Sequence, residues 1–343
     1  MMQLIKPGIN LDFVNRRKIA FTLSAVVILA SIISLIAHGG PKQGIDFAGG
    51  AEMIVTFNPA APIETVKSAL AASGLSGSVQ KFGDQIGDNY RVIIAAEQSG
   101  DANLTRIVQE QLAAGTGSQV AIDAFEMVGP QVGRDLQEKA LLAIFFAILF
   151  ITVYISGRFE LKWLVSAAMA IALAFCIYIL RLVHLSIPAL IMASMIVTFI
   201  LFYLLNLKYA MGAIVALVHD VLITVGIFSL FEKEFTLPII AALLTIIGYS
   251  LNDTIIVFDR IRENISKFRK ESLAAIINRS INETLSRTIL TSGTTLIVLI
   301  ALFILGGGII HDFAFAMLVG VLVGTYSSIF VASPILLAWQ KRK

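Results

Sequence analysis

A length of 343 residues would suit two soluble domains, but the composition excludes a soluble protein. Apolar residues make up 57% of the chain and charged residues only 14%, whereas soluble proteins have roughly a quarter of their residues charged. The net charge is +3, and the single cysteine, Cys176, excludes an internal disulfide and a cysteine-based zinc site. The composition predicts a polytopic α-helical membrane protein.

Long apolar windows locate the predicted spans. About 20 residues cross the hydrocarbon layer as a helix, so windows of about 18 or more mostly apolar residues predict spans. The first window follows three basic residues, as in a signal peptide, but it is too long and lacks a small-residue cleavage site, so we predict a retained anchor. The eight predicted spans are residues 19–37, 140–155, 163–180, 187–205, 210–231, 237–257, 289–305 and 313–339.

Basic residues beside the spans predict their orientation. Arg16, Arg17 and Lys18 precede the first span, residues 341–343 are all basic, and residues 259–288 are rich in Lys and Arg. The positive-inside rule places all three in the cytoplasm, which an even number of spans satisfies. The predicted parts are residues 1–38 (cytoplasmic N-terminus and first helix), 39–138 (external domain) and 139–343 (helical bundle, with 259–288 a cytoplasmic amphipathic connection).

The external domain is predicted to combine strands with helices. Met53, Val55 and Phe57 alternate with other residues, which is typical of a half-buried strand. The order strand–helix–strand–strand–helix–strand predicts a ferredoxin-like α+β domain. Its glycine pairs are predicted to serve turns rather than phosphate binding. After the first strand, the predicted elements are a helix at residues 63–70, strands at 81–82 and 90–95, a helix at 104–112 and a strand at 120–128.

Ionisable residues within a span are costly and often mark a pathway or a partner. Asp253 lies in the sixth span, and Arg287 lies on the neighbouring antiparallel helix. Two interpretations stay open for them: a proton relay, in which the carboxylate loads a proton beside a cation, and a simple structural pair near the helix ends. The supporting polar residues of the two helices are Asn252, Thr254, Thr291 and Ser292.

A second polar pair, His219 and Asp220, lies in the fifth span. Because no further ionisable partner is evident, structural hydrogen bonding between helices is favoured over transport for this pair. The Ser and Thr residues from Thr291 to Thr295 are likewise more typical of helix packing than of a transport site.

Six stretches resemble the SecF family, the smaller subunits of the SecD–SecF accessory complex of bacterial protein export, within the resistance–nodulation–division (RND) superfamily. They run in family order over nearly the whole chain. The matching stretches are GIDFAGG at residues 44–50, VGPQVG at 128–133, ALVHD at 216–220, TIIGYSLNDT at 245–254, VFDRIREN at 257–264 and LSRTILTSGTT at 285–295.

The resemblance implies a proton-driven helper of secretion in the bacterial inner membrane. Its implied partners are SecD, the SecYEG channel, the translocating polypeptide and membrane lipids, with no nucleic acid and no cofactor or metal. The family's proton-path carboxylate and arginine fall on Asp253 and Arg287. His219 and Asp220 match the family pattern, but the resemblance implies no equally firm role for them.

Other functions are weighed against protein export. An RND exporter of small molecules or lipids should have a larger external region with two sizeable insertions per repeat, whereas this chain has one, which favours protein export. A passive scaffold without transport remains open. An enzyme is not expected, because the sequence has no nucleophile–base set and no metal-ligand cluster.

The sequence departs from the family at residues 158–205. The family has six spans, so two of the eight predicted here form an extra apolar hairpin after the second span. Residues 161–167 weakly echo residues 207–213, as if a segment had been duplicated. A two-helix insertion preserves the later topology. If both helices span, the turn at residues 181–186 is external.

The charge pattern generates a testable topology. On a background without Cys176, a single cysteine at position 270 should be labelled by a membrane-impermeant thiol reagent only from the cytoplasmic side, because residues 259–288 carry the positive-inside bias. A cysteine in the external domain, at position 111, is the matched control and should be labelled from outside. Labelling of position 270 from outside alone would contradict the prediction.

Overall fold

The computed structural model describes residues 9–81, 89–99, 103–181 and 187–340. Phe82, most of the turn predicted at 181–186 and the basic residues 341–343 lie outside the described residues. In chain order the elements are α1 (Arg17–Ala37), α2 (Ile45–Ala48), β1 (Gly50–Asn58), α3 (Ile63–Ala72), β2 (Gly77–Lys81), β3 (Asn89–Ile94), α4 (Leu104–Thr116), β4 (Gln119–Val128), α5 (Pro130–Glu160), α6 (Trp163–Arg181), α7 (Ile187–Leu204), α8 (Lys208–Leu230), α9 (Leu237–Lys267), α10 (Leu273–Leu305), α11 (Gly308–Ser327) and α12 (Ser333–Gln340).

Six helical segments of the described chain are long and apolar enough to cross a membrane: α1, α5, α8, α9, α10 and the unit Gly308–Trp339 formed by α11 and α12. The predicted count of eight spans is not confirmed. The inserted hairpin does form two helices, but their apolar parts are only Trp163–Ile179 and Ile191–Leu204. At about 1.5 Å per residue, both are shorter than a hydrocarbon layer of about 30 Å.

Two predicted boundaries fall within long helices of the structure. The external domain was predicted to end at residue 138, but α5 begins at Pro130, where proline at a first-turn position suits a helix start. The connection predicted at residues 259–288 consists of the end of α9, which continues to Lys267, a short turn, and the start of α10 at Leu273. With 31 and 33 residues, these helices are about 45–50 Å long and extend beyond the hydrocarbon layer.

The sheet domain has the predicted order of strands and helices. Its strands lie in the order β2-β3-β1-β4, and every neighbouring pair is antiparallel. The alternation predicted for the first strand is observed, because Met53, Val55 and Phe57 are buried against residues of α3 and α4 such as Val66 and Leu112. The opposite face of the sheet carries polar residues and lies above the membrane bundle.

Gly49 and Gly50 join the segment after α1 to the sheet. Their φ angles are +75° and +132°, which residues with a side chain rarely adopt. A Cβ atom on Gly50 would lie 2.5 Å from the carbonyl oxygen of Ile94, and one on Gly49 would lie 3.0 Å from the Cα of Pro130. The glycines therefore permit a tight turn beside other backbone, which is the role predicted for them.

Small residues allow close packing within the helical bundle. A Cβ atom on Gly226 of α8 would lie 2.0 Å from the Cβ of Ser31 on α1, and one on Gly324 of α11 would lie 2.9 Å from the Cβ of Ser250 on α9. Because lipid chains are as apolar as the helices, such close packing is a main source of helix association in membranes. It brings α1, α8, α9 and α11 together around their polar side chains.

Gly226→Ala should lower the midpoint of thermal unfolding of the detergent-purified chain. The added methyl group overlaps both Cβ and Cα of Ser31, and the Cα cannot move without displacing α1. Gly248→Ala is the matched control, since a Cβ there meets nothing within 4 Å. In a helix interior alanine is favoured over glycine by roughly 1 kcal/mol, so the control should not destabilise. An equal midpoint for both variants would contradict this packing.

Candidate functional site

The helical bundle contains two buried carboxylates. Asp220 on α8 and Asp253 on α9 are each only 1% exposed. A buried charge is costly unless it is paired or hydrogen-bonded, so the partners of each carboxylate indicate its chemistry. The two environments differ sharply.

Asp220 is held by three hydrogen bonds. Its Oδ2 accepts from the hydroxyl of Ser250 at 2.5 Å and from that of Ser327 at 2.8 Å. Its Oδ1 lies 2.8 Å from Nδ1 of His219, which is itself 5% exposed. The donors come from α8, α9 and α11, so one carboxylate joins three helices.

The imidazole of His219 extends this cluster to α1. Its Nε2 lies 3.0 Å from the hydroxyl of Ser24, and that hydroxyl lies 3.1 Å from the hydroxyl of Tyr326 on α11. Tyr326 in turn donates to the carbonyl of Ala20 at 2.7 Å. We call His219, Asp220, Ser24, Ser250, Ser327 and Tyr326 the serine cluster. Its hydrogen bonds join side chains of four helices, α1, α8, α9 and α11, within an apolar bundle.

Next to the serine cluster, the chain leaves regular α-helical geometry. Residues Ser328–Ala332, directly after Ser327, form a π-helical turn before α12 begins. The hydroxyl of Ser333 donates to the carbonyl of Ser328 at 2.9 Å across this turn. Single π-helical turns inside longer helices occur frequently at functional sites.

Asp253 lies one turn after Ser250 on α9 and has fewer and longer hydrogen bonds than Asp220. Its Oδ2 is approached by the hydroxyl of Ser292 at 3.5 Å, the long limit of a hydrogen bond. That hydroxyl also lies 2.7 Å from the hydroxyl of Thr325 on α11. One turn earlier on α10, the buried hydroxyl of Thr288 has no hydrogen-bond partner in the described part of the chain. Polar groups around Asp253 are therefore incompletely satisfied.

Arg287 lies on the helix that faces Asp253 but does not contact it. Its side chain is exposed, and among the described residues no hydrogen bond or ion pair joins it to Asp253. The two residues predicted as a proton relay or a structural pair thus lie on facing helices, α9 and α10, and neither interpretation is decided by this arrangement. Thr291 donates to the backbone carbonyl of Arg287 within α10.

The other predicted polar residues separate into buried and exposed groups. Thr254 and Ser292 are buried in the bundle beside Asp253, whereas Asn252 is exposed on the outer face of α9. Tyr249, on α9, donates to Thr295 at 3.2 Å and links α9 to α10. No group of three or more His, Cys, Asp or Glu residues in the described chain could hold a metal ion.

Sequence reasoning missed several members of the site. Ser24, Thr325, Tyr326 and Ser327 lie in apolar helices far along the chain from the carboxylates, and no spacing rule connects separate helices. The signal available was the presence of hydroxyl residues in the first and last spans, which alone is typical of packing.

Comparisons with known proteins identify the family. The family described as "Protein export membrane protein SecD/SecF, C-terminal" matches residues 108–187 and 180–342, and the "SecD/SecF GG Motif" matches residues 34–61. The protein translocase subunit SecF of Desulfurispirillum indicum is 42% identical over 337 residues, covering 97% of this chain and 92% of that protein. The chain belongs to the SecF family. A further SecF relative, from Vibrio alginolyticus, is 40% identical over 98% of this chain and 92% of its own length.

Solved structures of SecF-containing proteins have a similar fold. SecDF from Thermus thermophilus, described as a translocon-associated membrane protein, matches all of this chain at 30% identity with a TM-score of 0.77. SecDF in a super-membrane-facing form matches all of it at 31% identity with a TM-score of 0.63. In both cases the chain spans 40% of the SecDF chain.

The serine cluster generates a test by double-mutant cycle. Ser250→Ala and Ser327→Ala each remove a donor to a buried carboxylate and should each cost about 1–3 kcal/mol, seen as a lower midpoint of thermal unfolding. Because both act on Asp220, the double variant should differ from the sum of the singles. Thr245→Ala, at an exposed position on α9, is the control and should change little. Additive effects of Ser250→Ala and Ser327→Ala would contradict the shared carboxylate.

Proposed function

We propose that the chain acts as the SecF subunit of a SecD–SecF complex that uses the proton motive force to assist translocation of polypeptides through the SecYEG channel. Membership of the SecF family supports the subunit role. The observation that carries the proton step is Asp253, a buried carboxylate in a membrane helix with one long hydrogen bond.

Asp253 is suited to exchange a proton because neither protonation state is locked. A carboxylate with three short hydrogen bonds, such as Asp220, is held in one position by its donors, and a change of its proton would disturb all three bonds. Asp253 lacks such donors, so a proton can neutralise it at little cost, and the positive charge of Arg287 favours release of that proton. Ser292 and Thr325 supply hydroxyl groups that can relay it.

His219 and Asp220 take a different role in this proposal. Their serine cluster fixes the positions of α1, α8, α9 and α11 around Asp253, as the sequence interpretation of structural hydrogen bonding favoured. Ser250 and Asp253 share one face of α9, so this cluster sets the orientation of that face. The pair therefore positions the proton site without itself carrying the proton.

SecD is proposed to cover the exposed face of α9 and α10. Only 17% of the apolar window of α10 is buried in this chain, against 61% of that of α8. The exposed residues include small and polar side chains, which are typical of helix contacts within membranes rather than of lipid-facing surfaces. They are Thr245, Gly248, Asn252, Arg287 and Thr294.

The remaining parts of the chain fit the same scheme. We propose that the sheet domain is ferredoxin-like and external, supported by its strand order and element order. Both termini are then cytoplasmic, and the protein is in the bacterial inner membrane. The α6–α7 hairpin would lie in the lipid beside α5, supported by exposed apolar residues such as Leu164 and Ile171. The names of the relatives favour protein export over the exporter alternative.

Asp253→Asn should abolish the stimulation of secretion by the proton motive force and leave assembly with SecD intact, because it preserves shape but removes the titrating group. Arg287→Lys should reduce stimulation, since it keeps a charge without the planar fork. The measurement is polypeptide export in inverted vesicles with an imposed proton gradient, normalised to the amount of complex.

Asp259→Asn is the matched control for Asp253→Asn. Asp259 lies on the same helix, is partly exposed and is paired with Arg158 at 2.6 Å, so stimulation should persist. Full gradient-driven stimulation in Asp253→Asn would contradict the proton role. A loss of export that only follows a loss of complex would favour the structural-pair interpretation.

A further inference from the structure

The two covalent connections between the sheet domain and the membrane bundle lie close together on one side of the sheet. The chain enters the sheet at Gly50, the first residue of β1, and leaves it at Val128, the last residue of β4, and these two residues are register partners. Both connections contain glycine, at Gly49 and Gly50 on entry and at Gly129 on exit. Glycine has no side chain to restrict backbone rotation, so these connections are the places where the domain could rotate relative to the bundle.

On the opposite side of the sheet, the hydrogen bonds from described strand residues to the membrane bundle go to Glu234. Glu234, in the turn between α8 and α9, is 8% exposed. It accepts from Nε2 of Gln80 on β2 at 2.7 Å, and its other oxygen lies 3.3 Å from Nη1 of Arg91 on β3. These two strands lie on the side of the sheet away from β4.

Each charged group at this contact also has a partner on its own side. Arg91 donates through Nε and Nη2 to both carboxylate oxygens of Glu52, which lies within the sheet. Glu234 pairs with Lys42 at 3.3 Å. Lys42 belongs to the membrane side, because backbone hydrogen bonds tie its segment to Phe235. The amide of Phe235 donates to the carbonyl of Lys42 at 2.7 Å, and the amide of Gly44 donates to the carbonyl of Phe235 at 2.8 Å.

Separation of the sheet would therefore leave no charge without a partner. Losing one partner of a buried ion pair normally strands the other charge, which is strongly destabilising. Here Arg91 keeps Glu52 and Glu234 keeps Lys42. Burial by itself lowers the pKa of Arg91, but the hydrogen bonds and charge of Glu52, with the charge of Glu234, outweigh it and raise the pKa above its ordinary value. Arg91 thus stays charged whether or not Glu234 is near.

A cavity of about 640 Å³ lies beneath the sheet at this contact. One wall is the polar face of the sheet, including Glu52, Ile54 and Arg91, and the other is the turn between α10 and α11 from Gly306 to Asp312. Detachment at Glu234 would widen this space.

We propose that Glu234 is a detachable latch: it holds the hinged sheet domain against the outer end of the membrane bundle, and its release lets the domain swing about the glycine connections. Since Glu234 lies in the turn that joins α8 to α9, the helices that carry Asp220 and Asp253, it is a positioning residue between the proton site and the external domain. The link to transport rests on the proposed function, whereas the latch itself does not.

The latch is tested by distance measurement in the SecD–SecF complex, using pulsed electron spin resonance. Spin labels are placed at Gln111→Cys on α4 and Ile309→Cys on α11, both exposed, on a Cys176→Ala background. Glu234→Gln should add a population at longer distance, because it removes both ion pairs of the carboxylate. Lys233→Gln is the matched control: its ion pair with Asp312 joins two membrane-side residues, so its distribution should match the parent. An unchanged distribution in Glu234→Gln would overturn the latch.

A second experiment separates the latch from the transport role. A bifunctional thiol cross-linker joins Gln80→Cys to Glu234→Cys in the assembled complex. Complete cross-linking should abolish gradient-driven stimulation of secretion, and full stimulation in the cross-linked complex would overturn the swing. If the uncross-linked parent itself shows no gradient-driven stimulation, the proposed function fails, while the spin-label distances still decide whether Glu234 holds the domain.

Discussion

Hydrocarbon offers no hydrogen bonds, so every polar side chain inside a span must find its partners within the protein. The arrangement of α1, α8, α9 and α11 follows from this constraint. Asp220 is hydrogen-bonded to side chains of α8, α9 and α11, while His219 extends the same network to α1. Close packing at Gly226 and Gly324 brings these donors within reach.

The hydrogen bonds of Asp220 contrast with the near absence of hydrogen bonds to Asp253. The two carboxylates are equally buried, yet one has three short hydrogen bonds and the other has a single long one. A fully bonded group serves as a fixed point, whereas an incompletely bonded group can change its protonation state without dismantling a network. Ser250 links the two, because it donates to Asp220 and lies one turn from Asp253.

Sequence patterns predicted most of the elements because each pattern is local. The alternation at Met53, Val55 and Phe57 reports burial within one strand, and the apolar windows of α1, α5 and α8 report the hydrophobicity of single helices. The strand and the helices were found where predicted. The prediction of eight spans was not confirmed. An apolar window in the sequence does not give the length of the helix that forms, and the two hairpin helices have apolar parts too short to cross the hydrocarbon layer. Ser24, Thr325 and Ser327 could not be predicted as site members, since their role depends on which helices are neighbours. The same holds for Glu234, whose partners on β2 and β3 lie far away in sequence.

The contrast between the two carboxylates is tested most directly by infrared difference spectroscopy of the purified SecD–SecF complex during a pH titration. The band of a protonated carboxyl group should appear as the pH falls, and Asp253→Asn should remove it. The band should remain in Asp259→Asn, whose carboxylate is partly exposed and paired with Arg158. A titrating carboxyl band that persists unchanged in Asp253→Asn would contradict the assignment of Asp253 as the group that carries the proton.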